Sequence, residues 1–284
     1  MAKWLQSCVA VAGLCLASAA MAGVSNDIPS CYGSIKVGVP APPLSTELFV
    51  LIDQTTPLDA TLKNTVRENV GRLVQPGTAF VVATFSSFGQ GRYLEVLSAG
   101  TLEPALPAKV RDDIGVKLLH SFDACLAKQR DFGRNAAAVA LNKALSGISP
   151  EYAKSDVMGS MRELSYRIRQ SAAQDKILFL VSDMLENSGI SSFYGHRNVR
   201  QLDVPAEIKK AEAGQMLADL GGARVFVLGA GLVQENSSGA AKDSGVYRDP
   251  KTMTALRQFW EQYIARSQGR LIEFGAPALV VPVQ

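Results

Sequence analysis

"ELFVLIDQTTPLD", residues 47–59, decides how the chain folds. Leu48 to Ile52 is an unbroken apolar run, the pattern of a strand buried on both faces rather than one. It ends in an acid, Asp53. Thr56-Pro57-Leu58-Asp59 then reads as a helix start, with Thr56 as cap, Pro57 at the first helical position and an acid three residues past the cap. Leu58, Leu62, Val66, Val70 and Leu73 follow at intervals of three or four, which predicts an amphipathic helix.

The same alternation continues along the chain. "AFVVATFS" (79–86) predicts a second buried strand and "RYLEVLSAG" (92–100) a shorter one at an edge. The stretch from about 101 to 150 is helical, with acids and bases interleaved as on a solvated face. A helix over 156–171 precedes "KILFLVSD" (176–183), again a strand closed by an acid, Asp183. Helix 205–220, stopped by Gly221-Gly222, leads to "ARVFVLGAG" (223–231). Asp249-Pro250 opens a last helix, and "RLIEFG" (270–275) is a final strand. Strands alternating with crossover helices predict an α/β fold: a doubly wound, mostly parallel central sheet with helices on both faces and one short antiparallel edge strand.

The chain has 284 residues and a net charge of +3, with no lysine- or arginine-rich block, so nucleic acid is not an expected partner. Residues 1–22 have the make-up of a signal peptide: Lys3, the apolar "VAVAGLCLASAA", and "AMA" as the small-x-small cleavage site, near Ala22-Gly23. An uncleaved anchor is the competing reading. The mature chain is expected to be exported, periplasmic or secreted, with no membrane span. Residues 23–45 read as an extended lead-in rich in Pro, Gly and Ser, and 46–284 as one domain with a helical insertion at about 101–150. Cys8 and Cys15 leave with the signal. Cys31 and Cys125 remain, and an even pair in an oxidising compartment predicts a disulfide, the alternative being two separate small hydrophobes.

In open α/β sheets ligands bind beyond the carboxyl ends of the strands, where strand order reverses. Asp53 and Asp183 both close strands there. Side by side the two acids repel, and a hard divalent cation held by oxygens would relieve that repulsion. The Thr55 hydroxyl lies beside Asp53.

"FVLIDQTT" before a helix resembles the first motif of von Willebrand factor type A (VWA) domains, an Asp-x-Ser-x-Ser loop after the first strand. "KILFLVSDM" is similar to the strand carrying that family's second aspartate, and "RVFVLGAGL" with "ALRQFWEQYIARSQGRLIEF" to its closing strand, helix and strand. The likeness runs from about 46 to 276 as a pattern. It implies a metal-ion-dependent adhesion site for Mg2+ or a similar cation, with Asp53, Thr55, Ser155 and Asp183 as ligands. In such a site an acidic group of a protein partner, here one in the cell envelope, often completes the shell. Asn135 is a rival for the Ser155 position. Two positions depart from the family: Pro57 replaces a serine and offers no oxygen, and Met184 replaces the usual glycine.

The loop "MLENSGISSFYGHRNVRQLDVP" after Asp183 is long for such folds and carries Phe193, Tyr194, His196 and Arg197. Aromatics and arginines on a loop are typical interface anchors, so these four are expected to bind the partner. The bland alternative folds Phe193 and Tyr194 into the core. An exported binding module is the expected function. The rival is a metal-dependent hydrolase of the phosphatase type using Asp53 as nucleophile. No G-x-S-x-G elbow, P-loop or dinucleotide fingerprint is present, and neither histidine has an evident catalytic partner, so catalysis is not expected.

Overall fold

The computed structural model describes residues 26–86, 94–149, 152, 154–195, 198–232 and 249–284. Residues 1–22, read from the sequence as a signal peptide, lie outside these, as do His196 and Arg197. Strand β1 (Thr46–Asp53) is the "ELFVLID" run, and α2 (Ala60–Leu73) follows it. A short helix, α1 (Cys31–Ser34), lies ahead of both. Then come β2 (Thr78–Phe85), β3 (Leu94–Leu102), α3 (Ala108–Arg111) and α4 (Val116–Ser146). The second half runs α5 (Val157–Gln170), β4 (Asp175–Val181), β5 (Tyr194–Gly195), β6 (Asn198–Val199), α6 (Val204–Ala213), β7 (Arg224–Leu228), α7 (Pro250–Arg266) and β8 (Arg270–Gly275).

Six strands form one sheet in the order β3-β2-β1-β4-β7-β8, parallel except for the β2–β3 pair. The edge position and direction of β3 match the sequence reading. Its length does not, since its nine residues make it the longest strand of the sheet. Alternate residues of β1 explain why the run is wholly apolar. Phe49 and Leu51 pack beneath α5, α6 and α7, whereas Leu48, Val50 and Ile52 pack against α2 and the second half of α4. Both faces are covered, so neither tolerates a polar residue.

Chain order doubles back at β1: β2 lies on one side of it and β4 on the other. That is the switch point, and it brings the end of β1 beside the end of β4.

Residues 26–45 are more structured than an extended lead-in. The Asp27 N–H donates to the Ala99 carbonyl, and its carboxylate accepts from Ala99 N and Ser98 Oγ, which covers part of the open edge of β3. A disulfide joins Cys31 to Cys125 on α4, in a small satellite core with Val37, Leu106 and Phe122. No described helix is long and apolar enough to cross a membrane.

Two helix boundaries differ from the sequence reading. Helix α2 begins at Ala60 with Asp59 as its cap, accepting from Leu62 N, so Thr56 and Pro57 precede the helix. Helix α6 stops at Ala213. Beyond Gly214, Met216, Ala218 and Leu220 are buried in the core along non-helical chain that a continued helix would have carried away.

Candidate functional site

Asp53 lies at the end of β1 and is fully buried. Its Oδ1 accepts from the backbone N–H of Thr55 at 2.9 Å and from the Thr55 hydroxyl at 2.7 Å. Its Oδ2 accepts from the hydroxyls of Ser155 and Ser182, each at 2.8 Å. Four donors converge on one carboxylate. Burial nevertheless pushes its pKa up, and the hydrogen bonds from Thr55, Ser182 and Ser155 oppose that rise.

Asp183 follows β4 and is buried beside it. Its Oδ1 accepts from Leu185 N at 2.8 Å and its Oδ2 from the Tyr194 hydroxyl at 3.1 Å. Burial first, and then the charge of Asp53, hold its carboxyl well above the usual carboxylate range. The repulsion expected of two neighbouring acids is therefore present, and no basic side chain among the described residues is hydrogen-bonded to either.

The four residues expected as ligands reach this place by separate routes. Thr55 sits in the turn after β1, where Gln54 N donates to the Phe85 carbonyl and Ser149 N to the Gln54 carbonyl. Ser155 precedes α5, whose cap is Asp156, accepting from Gly159 N, so the Ser155 hydroxyl is free of capping and turns to Asp53. The Ser155 carbonyl accepts from Asn187 N at 2.7 Å, tying this segment to the loop after Asp183. Asn135, the rival for the Ser155 position, lies within α4.

Two further residues belong to the cluster and escaped the sequence reading. In sequence Ser182 reads only as the end of a buried strand; its one signal is being the first polar residue after five buried apolar ones. Thr56, expected as a helix cap, is fully buried, and its Oγ1 accepts from Asp183 N at 2.9 Å, pinning the end of β4 to the end of β1.

The long loop after Asp183 is held inward. The indole N–H of Trp260 donates to the Met184 carbonyl at 2.8 Å, and Met184 itself has φ +62°, a conformation that suits glycine better. Phe193, expected as a partner-binding anchor, is a core residue with 0% exposure, edge-on to Phe259 at 4.9 Å and to Trp260 at 6.1 Å. Its apolar ring gains more from that aromatic cluster than from solvent. Tyr194 is half-buried and spends its hydroxyl on Asp183. Arg200 donates to Glu207, which also accepts from Ser191 and Lys210, so this arginine fastens the loop to α6.

Below the loop lies a second acidic pair. Glu186 is fully buried, and its Oε2 accepts from Met158 N at 3.0 Å at the start of α5, where Asp156 is also seated. Burial and then the nearby Asp156 push Glu186 up to about 8, and burial raises Asp156 as well. Glu186 Oε1 has no hydrogen-bond partner among the described residues.

Fold and cluster define the class: an α/β domain with two buried carboxylates, ringed by hydroxyls, at the carboxyl edge of its central strands. No protein-family model matches the chain, and neither does any curated protein. Solved structures similar to it include a variant of the PilB minor pilin from Streptococcus sanguinis, 12% identical with a TM-score of 0.40, over 81% of this chain and 57% of that one. Proximal thread matrix protein 1 from the mussel byssus is 14% identical with a TM-score of 0.31, over 66% and 38%. The N-terminal domains of the type V pili tip protein Mfa5 from Porphyromonas gingivalis are 12% identical with a TM-score of 0.31, over 70% and 29%. The chain thus spans less than two thirds of each.

Proposed function

We propose that this is an exported protein-binding module of the VWA type, whose binding face is the carboxyl edge of β1 and β4 and whose contact is completed by a Mg2+-like cation. One observation carries the reading: Thr55 and Ser155 both give their hydroxyl protons to Asp53. With the proton committed, the lone pairs left on each hydroxyl oxygen are available to a hard cation, and Asp53 makes those oxygens more electron-rich. Asp53 and Asp183 supply the compensating negative charge. Among the described residues no three His, Cys, Asp or Glu side chains are grouped to hold a metal, so any such site rests on hydroxyls as well as acids. These residues fit a hard cation despite Pro57. Thr55, half-buried, is the ligand nearest solvent, and an acidic group of the partner would enter from that side.

The hydrolase alternative asks Asp53 to act as a nucleophile. Full burial and four donated hydrogen bonds make its oxygens poor nucleophiles, which favours binding over catalysis. Export is supported by the Cys31–Cys125 disulfide.

The test is a titration of the protein with Mg2+ and Mn2+, following thermal unfolding, beside Asp53→Ala. Stabilisation of the wild type at millimolar metal, absent in the variant, is expected. No response in the wild type would sink the metal half of the proposal, and an acidic partner captured equally well with and without chelator would sink the other.

A further inference from the structure

Resting on the metal reading above, we propose that Tyr194 is a gate on this site: its hydroxyl proton occupies Asp183 Oδ2 until a cation displaces it. Each oxygen of Asp183 accepts one hydrogen bond, Oδ1 from the backbone Leu185 N and Oδ2 from the Tyr194 hydroxyl, and of these two donors only the hydroxyl can rotate its proton away for an incoming ion. The Tyr194 hydroxyl lies 3.1 Å from Oδ2. An O–H donor on a carboxylate is a charge-assisted bond that offsets part of the negative charge, which is what the cation itself would do. A cation on Oδ2 repels that proton, so the two compete.

The phenol is held at this position. Phe193, next to it in sequence, is locked between Phe259 and Trp260. Tyr194 N donates to Ser192 Oγ, and Tyr194 pairs with Val199 across the β5–β6 hairpin. Displacement would free the phenol for a partner. A partner that accepts from it would then tighten cation binding by the same factor as the cation tightens the partner's.

A gate and a scaffold make opposite predictions for Tyr194→Phe, which keeps the packed ring and removes only the hydroxyl. Mn2+ binding to the full chain is measured by the loss of free-ion electron paramagnetic resonance signal, for wild type, Tyr194→Phe and Asp53→Asn. The gate requires Tyr194→Phe to bind on the order of tenfold more tightly than wild type. It also requires a tyrosine absorbance change on adding Mn2+ to wild type that Tyr194→Phe lacks, and little binding by Asp53→Asn. Equal or weaker binding by Tyr194→Phe overturns the gate while leaving the metal reading intact. Absence of binding by both wild type and Tyr194→Phe overturns the two together.

Discussion

The Ser155 hydroxyl donates to Oδ2 of Asp53 across 2.8 Å, joining residues 102 positions apart. The bond forms because α5 takes its cap from Asp156, leaving Ser155 without a capping duty. It fixes the segment before α5 against the end of β1, and among the described residues it supplies one of two donors to that oxygen.

Ser155→Ala therefore removes a donor from a buried carboxylate without opening a large cavity. The expected cost is about 1–3 kcal/mol in urea unfolding. Ser182→Ala should cost a similar amount, since its hydroxyl serves the same oxygen. The variants are expected to separate in Mn2+ affinity, where Ser155→Ala loses a ligand and Ser182→Ala loses only support for Asp53. Equal affinities would mean that Ser155 is no ligand.

Stability is expected to fall as pH rises through the neutral range in the absence of divalent cations. The carboxyl of Glu186 is held up to about 8, whereas in the unfolded chain it ionises near its ordinary value of 4.5. Between those limits the folded protein keeps a proton that the unfolded chain has released. Its contribution is complete below about pH 4.5 and is lost as pH approaches 8. Asp156 and Asp183, both raised, act in the same sense. Chemical denaturation from pH 5 to 8 should show a loss on the order of a few kcal/mol, and Glu186→Gln should flatten the slope. A profile unchanged by that substitution would remove Glu186 from the account.

Reduction of Cys31–Cys125, or Cys125→Ser, should lower stability by about 4–5 kcal/mol if loop entropy dominates, because the bridge closes a separation of 94 residues. The loss should fall first on the satellite core of Val37, Leu106 and Phe122, which contains Cys31 and is separate from the two cores that flank the sheet. Hydrogen exchange before and after reduction would locate it. The central sheet should stay protected, since its two main cores do not include either cysteine.

Phe193→Ala should destabilise by about 3–5 kcal/mol, the cost of emptying a buried aromatic position. It is thus a poor probe of partner binding. A loss of capture by this variant would report unfolding of the loop as readily as a lost contact. Tyr194→Phe preserves the ring and removes only the donor to Asp183, so it is the cleaner substitution, with an expected cost of about 1–3 kcal/mol and no loss of loop packing.

Much of the fold was legible in the chain itself. Leu48 to Ile52 has no polar residue because both of its faces are covered, and the same holds for Ile177 to Val181. Such runs, ending in acids and separated by amphipathic helices, determine a parallel sheet with Asp53 and Asp183 at its carboxyl edge. The cysteine pair was equally readable. Local patterns settled these features because strand burial and helix periodicity act between near neighbours.

Tertiary structure alone decided what surrounds the two acids. Thr56 has every local mark of a helix cap, yet Asp59 caps α2 and Thr56 accepts from Asp183 N, 127 positions away. Ser182 reaches Asp53 from 129 positions away, and Phe193 exchanges the surface for a cluster built by α7. A hydroxyl or a ring carries no local sign of which distant group it will meet. Its partner is fixed only when strand order brings β1 and β4 together and a buried carboxylate must find donors to remain buried.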